Sequence, residues 1–157
     1  MEDLSSQLIA VVNDAQDKLL DLSEEAVSLK PNPDKWSKKE ILGHLIDSAA
    51  NNHVRFMIGQ SKNDLIFNGY AQDQWVEYQD YQHANWKDLV DLFIAYNKHM
   101  SRVIAHIPKG VLRRELTEHN LHLLAFKRVP QGEPTSLAYF IQDYIDHIVH
   151  HLKQIFG

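Results

Sequence analysis

Residues 36–48 read WSKKEILGHLIDS and contain the clearest helix start in the chain. Ser37 and Glu40 have the spacing of a capping box, in which each side chain accepts a hydrogen bond from the backbone N–H of the other residue. Apolar residues then recur at helical spacing as far as Phe56. The stretch therefore predicts an amphipathic helix that begins at Ser37 and ends near Gly59.

Three other segments show the same helical period of apolar residues. One covers residues 4–27 and stops at the sequence LKPNP, because proline lacks an amide hydrogen and disfavours helical geometry in the residue before it. Another begins near Asn85 and ends before Pro108, and the last begins near Thr135. No stretch shows a sustained strand alternation. The sequence therefore predicts an all-α four-helix bundle in a single domain, residues 1–157.

The predicted helices are joined by connections of unequal length. Residues 29–36 form a short link, whereas residues 60–84 and 109–134 form long loops between helices two and three and between helices three and four. Loops of this length in a compact domain usually have a function or contain short elements of their own. We expect a short helix near residues 73–81 and extended structure in the second long loop.

The composition is that of an ordinary soluble protein. Of the 157 residues 44% are hydrophobic, and 16 basic against 21 acidic side chains give a formal net charge of -5. This sign argues against nucleic acid and anionic membranes as partners. No apolar run approaches the roughly 20 residues of a membrane-spanning helix, and the first ten residues contain acids where a signal peptide has basic residues. We therefore expect a cytoplasmic protein.

Histidines are the candidate metal ligands, because the chain has no cysteine and has ten histidines. In YIDHIVHHLKQ, residues 144–154, His147 and His151 are spaced i, i+4 and share one helix face. Chance alone gives about 0.6 such pairs in this composition, so the pair by itself is weak support. His44 lies at the margin of the apolar stripe of the second helix, and it would complete a three-histidine site if the second and fourth helices are antiparallel neighbours or diagonal partners. His150 points about 100° away from His151 and is predicted to lie at the surface or beside the ligands.

Two interpretations of the histidines stay open on the residues alone. Three neutral imidazoles leave a coordination position free for water or substrate, as in catalytic zinc sites. Histidines at the edge of a core also often bond only to backbone or water. Signals for other chemistries are missing, since the chain has no HExxH, no glycine-rich phosphate loop, no GxSxG and no pair of ExxH motifs for a di-iron site.

Other side chains near these histidines are candidates for the surroundings of the site. Asp143 precedes His147 by four residues and Asp47 follows His44 by three, so either carboxylate could orient an imidazole through its second nitrogen. Further polar and aromatic side chains are candidates to line the pocket: Ser48, Asn52, Tyr70, Trp75, Tyr78, Tyr81 and Tyr144.

Three stretches in this order, WSKKEILGHLIDS, DQWVEYQDY and YIDHIVHHLKQI, resemble the DinB-like superfamily of metalloenzymes, also called DinB/YfiT-like. The resemblance spans most of the chain. It implies an up-down-down-up four-helix bundle that binds a divalent metal through His44, His147 and His151 and assembles as a homodimer.

The resemblance also implies a small-molecule substrate and one of two reactions: metal-dependent hydrolysis, or transfer with a low-molecular-weight thiol as cosubstrate. Histidine-only ligation favours zinc or nickel, with manganese or iron as alternatives, over calcium and magnesium, which prefer oxygen ligands. The competing hypotheses are a non-catalytic metal-responsive or stress-related binding module and an interaction scaffold in which the histidines do no chemistry.

Overall fold

The computed structural model describes residues 3–157, and these residues form a helical protein. The helices in chain order are α1 (Leu4–Leu20), α2 (Glu24–Ser28), α3 (Lys38–Ile58), α4 (Gln72–Tyr78), α5 (Trp86–Ala105), α6 (Lys109–Arg113), α7 (Leu121–Leu124) and α8 (Leu137–Phe156). The long helices α1 and α3 each pack against both α5 and α8. They therefore occupy opposite corners of a four-helix bundle, and the predicted all-α bundle with long loops is confirmed.

The core of the bundle receives fully buried side chains from every long helix. Among them are Leu8 and Leu19 of α1, Phe56 of α3, Phe93 of α5 and Ile148 of α8. Each of these helices keeps a polar face toward solvent, as the helical period of apolar residues requires. Within the described residues, no helix combines the length and apolar character that crossing a membrane requires.

The capping box at the start of α3 forms as predicted. The Ser37 hydroxyl accepts a hydrogen bond from the Glu40 backbone N–H at 3.2 Å, and a Glu40 carboxylate oxygen accepts one from the Ser37 N–H at 3.0 Å. The side chains of Asn85 and Ser136 cap α5 and α8 by accepting a hydrogen bond from the backbone N–H of the residue three positions later. The three helix starts lie within two residues of their predicted positions.

The predicted first helix, residues 4–27, is too long. The helix ends at Leu20, and α2 begins after Ser23, whose hydroxyl accepts a hydrogen bond from the Ala26 N–H at 3.1 Å. A serine that caps a new helix competes with continuation of the preceding one. The apolar stripe continues across the break to the buried Val27, so periodicity alone did not reveal it.

The two long loops contain short helices and bond to each other. The helix predicted near residues 73–81 is present as α4, followed by a 3₁₀ turn at Tyr81–His83. In the second loop α6 and α7 alternate with isolated extended pairings, of which the Leu116–Thr135 pair has hydrogen bonds of 2.8 and 3.0 Å. The Leu65 N–H also donates to the Glu118 carbonyl at 2.9 Å, which joins the first loop to the second.

A close contact fixes the first long loop against α3. The ring of Tyr81 lies so near Gly43 that a β-carbon at this glycine would be 2.2 Å from the ring. The Tyr81 hydroxyl then donates to an Asp47 carboxylate oxygen at 2.6 Å. Only a residue without a side chain permits this approach, which holds the loop beside the segment of α3 that contains His44.

Candidate metal centre

Three histidine rings converge between α3 and α8. The Nε2 atom of His147 lies 3.2 Å from Nε2 of His44 and 3.1 Å from Nε2 of His151. The rings stand nearly perpendicular to one another, with interplanar angles of 79° to 85°. The structure thus brings together the three histidines that the sequence selected as candidate ligands.

The two short Nε2 contacts of His147 are not explained by hydrogen bonds alone. A ring nitrogen of a neutral imidazole has either one hydrogen or one lone pair, so it cannot form two full hydrogen bonds. Three nitrogens bound to one cation at about 2.0–2.1 Å in tetrahedral geometry would lie about 3.3–3.4 Å apart. The observed spacings are close to this value, and the three histidines therefore fit a divalent cation.

The surroundings keep these imidazoles neutral. Burial, followed by repulsion from His151, lowers the pKa of His44 to about 4. Burial, followed by repulsion from His151 and His44, lowers the pKa of His147 to about 3. Burial also lowers the pKa of His151, and the hydrogen bond that His151 donates to Gln154 opposes this effect. Neutral imidazoles have the free lone pairs that metal coordination requires.

Neighbouring side chains fix the orientation of each ring. Nδ1 of His151 donates to Oε1 of Gln154 at 2.8 Å, which leaves the lone pair on Nε2 and turns it toward the other two histidines. The Trp36 ring packs against His44 with 5.0 Å between ring centroids. Phe126 packs against His147 at 5.5 Å. Aromatic contacts of this kind restrict rotation of the imidazoles.

His150 lies beside the cluster and outside it. Its ring packs against Phe126 and His151 at centroid distances of 5.1 and 5.0 Å. The Gln154 amide lies between the two histidines, since its Nε2 is 3.4 Å from Nε2 of His150. His150 thus contacts Phe126, which packs against His147, and Gln154, which accepts a hydrogen bond from His151.

The two aspartates have hydrogen-bond partners other than those we expected. Asp47 accepts from the Tyr81 hydroxyl at 2.6 Å and from the Gln79 side chain at 2.9 Å. Nδ1 of His44 is buried and has no hydrogen-bond partner among the residues that the structure describes. Asp143 accepts from the backbone N–H groups of residues 126 and 127 at 2.9 and 2.7 Å. Spacing on the helix did not predict this, because both aspartates bind loop segments distant in sequence. Neither orients an imidazole.

A cavity of about 410 Å³ opens beside the three histidines. Ser48, Asn52, Tyr70 and Tyr144 line it as expected, although the Tyr144 hydroxyl donates to Asn97 at 2.6 Å. The other three candidate loop aromatics do not line it: Trp75, Tyr78 and Tyr81. The exposed positions of the first two and the burial of Tyr81 on Asp47 explain the difference.

The family of the chain follows from its sequence as a whole. The family model of the DinB superfamily matches residues 7–155. The chain is a member of the DinB superfamily. The three converging histidines therefore lie within the matched part of a DinB-superfamily protein.

Curated relatives of this DinB-superfamily chain include proteins from Bacillus mycoides strain KBAB4 and Bacillus cereus strain B4264, both provisionally named metal-dependent hydrolases. Each is 24% identical over 80 residues, which cover 51% of this chain and 42% of the relative. The match thus spans less than half the length of these relatives.

The fold is similar to that of YfiT from Bacillus subtilis, which is described as a probable metal-dependent hydrolase with an unusual four-helix bundle topology. The TM-score is 0.73 at 17% sequence identity, over 96% of this chain and 83% of YfiT. At this identity the likeness shows that the DinB-superfamily chain shares the bundle fold.

Several residues of the site were not selected from the sequence. Gln154 has a detectable signal, because a glutamine three residues after a histidine on a helix can reach its Nδ1. Arg55 lies on the same face of α3 as His44. Arginine side chains are usually exposed, so the sequence did not indicate that this one is buried in the cavity wall. Phe126 and Arg128 come from the second long loop, and Phe140 from α8. No local pattern places the loop residues against the histidines.

Proposed function

We propose that this protein is a metal-dependent hydrolase whose divalent cation is bound by His44, His147 and His151. The observation that supports the proposal most strongly is the convergence of three Nε2 atoms at the wall of a cavity of about 410 Å³. A cavity of this size is in the range of small-molecule binding sites. The relatives named as metal-dependent hydrolases and the similar fold of YfiT agree with this assignment.

The residues of the chain have separable tasks in this proposal. The three histidines donate lone pairs from Nε2, and Gln154 keeps the Nδ1 proton of His151 in place. Trp36 stabilises the orientation of His44 through ring packing. A bound divalent cation supplies Lewis acidity, which acidifies a water molecule or a thiol and polarises the bond to be cleaved.

Two polar groups of the cavity are not free to act as general acid or base. Both carboxylate oxygens of Asp143 accept backbone hydrogen bonds. Burial raises the pKa of Tyr144 far above its ordinary range, and its hydroxyl bonds to Asn97. These side chains therefore shape the cavity rather than transfer protons to a substrate.

Three imidazole ligands favour zinc or nickel, with iron or manganese as alternatives. The first test is elemental analysis of tag-free protein purified without added metals or chelators. We expect near-stoichiometric metal in the wild type and its loss in His44→Ala and His147→Ala. His150→Ala is the matched control, since this histidine lies on the same helix outside the cluster and its variant should keep the metal. No metal in the wild type after reconstitution with each of the four ions would refute the proposal.

Turnover distinguishes the remaining alternatives. Hydrolysis of an ester or amide panel that depends on His147 supports the proposal. Turnover only in the presence of a low-molecular-weight thiol would assign the thiol-transfer reaction instead. Metal binding without turnover on either panel would favour the metal-responsive module. The predicted homodimer is tested separately by sedimentation at several protein concentrations.

A further inference from the structure

The cavity beside the histidine cluster contains a buried positive charge without a counter-charge. Arg55 of α3 lines the cavity and is only 7% exposed. No carboxylate within residues 3–157 forms an ion pair with it. A buried charge is costly unless it is paired, so an unpaired guanidinium in a cavity wall requires an explanation.

Neutral acceptors occupy only part of the guanidinium. One terminal nitrogen donates to the Asn68 carbonyl at 2.7 Å, and the other donates to Oδ1 of Asn52 at 3.3 Å. Arginine has five N–H donors, so three have no hydrogen-bond partner within residues 3–157. The rings of Tyr70 and Phe140 lie 5.9 and 6.0 Å from the guanidinium carbon and hold the group between aromatic surfaces.

Arg55 shares a helix face with the histidine cluster. It follows His44 by eleven residues, which corresponds to about three turns and an angular offset of about 20°. This row of side chains is inclined toward the start of α3. Arg55 donates a hydrogen bond to Asn52, and Asn52 donates one to the Ser48 carbonyl at 2.9 Å. The guanidinium therefore lies near the level of Asn52, about 12 Å along the helix from His44.

The charge of the cavity wall differs from that of the whole chain. The chain has a formal charge of -5, whereas the charged residues that line the cavity are Arg55, Arg128 and Asp143. The carboxylate of Asp143 is already occupied by two backbone N–H groups. The wall therefore has an excess of positive charge, which attracts anions into the cavity.

We propose that Arg55 binds an oxyanion of the substrate, a carboxylate or a phosphate, while the reacting bond lies at the histidine cluster. Two of the free N–H donors of a guanidinium match the two oxygens of either group. The substrate class is then a small molecule whose oxyanion lies up to about 12 Å from the bond that reacts. The position of the reacting end rests on the proposed function, but binding of the anion by Arg55 does not.

A purely structural role gives a different expectation. The bond from Arg55 to the Asn68 carbonyl joins the first long loop to α3, so loss of Arg55 would lower stability in either case. Only a binding role makes anion affinity depend on the guanidinium. Stability measurements alone therefore do not distinguish the two roles.

The test is a titration of the full chain at constant ionic strength with hexanoate, hexyl phosphate and the uncharged hexanamide. Binding is measured by calorimetry and by the NMR signal of the Arg55 side-chain N–H. We expect at least one anion to shift this signal and to bind about tenfold or more tightly than hexanamide. The anion that binds better distinguishes a carboxylate substrate from a phosphate.

Variants assign the binding to Arg55. We expect Arg55→Met to weaken anion binding by about tenfold or more, and Arg55→Lys to retain part of it. Arg113→Met is the matched control, because it removes an exposed arginine that is not among the residues lining the cavity and should keep the affinity. If Arg55→Met does not fold, the wild-type NMR signal and Arg55→Lys still decide the question.

His147→Ala separates this proposal from the metal proposal. Anion binding that persists in His147→Ala supports the role of Arg55 even if the protein binds no metal. Binding that is lost in His147→Ala and unchanged in Arg55→Met would place the anion at the histidines and overturn the proposal. Absence of binding by the wild type to both anions would also overturn it.

Discussion

The buried histidines should make the metal-free protein sensitive to mild acid. The unfolded chain takes up a proton at His44 near pH 6.5, but burial lowers the pKa of His44 in the folded protein to about 4. Between these values the unfolded state binds more protons than the folded state, so the free energy of unfolding falls as the pH falls. Above pH 6.5 both states are neutral and the effect vanishes.

The magnitude follows from the pKa of His44. A lowering from 6.5 to about 4 corresponds to about 3 kcal/mol of stability, lost at up to about 1.4 kcal/mol per pH unit. His147 acts in the same direction down to about pH 3. Domains of this size are stable by only about 5–15 kcal/mol, so the loss is a substantial fraction of the total.

The assay is urea denaturation followed by circular dichroism, between about pH 7 and pH 4.5, after the metal is removed with a chelator. Burial raises the pKa of Asp47, so protonation of Asp47 increases the free energy of unfolding as the pH falls and opposes the effect of His44. Asp47 is present in wild type and in His44→Gln alike. The informative quantity is therefore the difference in pH dependence between these two proteins. We expect the variant to lose about 2.4 kcal/mol less than the wild type between pH 7 and pH 4.5. Equal pH dependence in wild type and His44→Gln would refute the reasoning.

Three further substitutions test the supports of the site. Gly43→Ala should lower stability by about 1–3 kcal/mol in thermal melts, because its β-carbon would overlap the Tyr81 ring. Gln154→Ala should weaken metal binding about tenfold or more in competition titrations while the fold stays intact, because His151 loses its orienting acceptor. Asp143→Ala should lower stability by about 1–3 kcal/mol in urea, because two backbone N–H groups of the second loop lose their acceptor.

The first two of these predictions have a matched control variant. Gly110→Ala should leave the melting temperature nearly unchanged, because nothing lies within 4 Å of the added carbon. Gln142→Ala, on the same helix as Gln154, should keep the metal affinity, since its amide donates to Asp146 instead. Gln154→Ala with wild-type metal affinity would show that the orientation of His151 does not depend on this bond. An unaltered urea midpoint for Asp143→Ala would show that the loop is held by other contacts.

The sequence predicted those features of the fold that local interactions determine. The start of α3 was predicted correctly because Ser37 and Glu40 bond to each other's backbone within one turn. The end of α1 was missed, because the apolar period continues beyond Leu20 and the competing cap at Ser23 is a single weak signal. Periodicity reports which face of a helix is buried and is insensitive to a short interruption.

The candidate site was predicted in part for the same reason. His147 and His151 are four residues apart on one helix, so their proximity is local. His44 was selected from its place at the margin of the apolar stripe of the second helix, and the resemblance to the superfamily implied the same three ligands. The partners of Asp47 and Asp143 lie in loops 16 to 34 residues away and depend on how those loops pack. The buried position of Arg55 likewise depends on contacts with Asn68 and on the rings around it.

The contact between His44 and His147 joins positions 103 residues apart in the chain. A cation shared by these residues would close a loop of this length, as a disulfide does in other proteins, and this chain has no cysteine to form one. In the chain-entropy model, closing a loop of about 100 residues restricts the unfolded state by about 4.7 kcal/mol. Unlike a disulfide, such a cross-link forms and breaks with the supply of free metal, so the lifetime of the folded chain would follow metal availability.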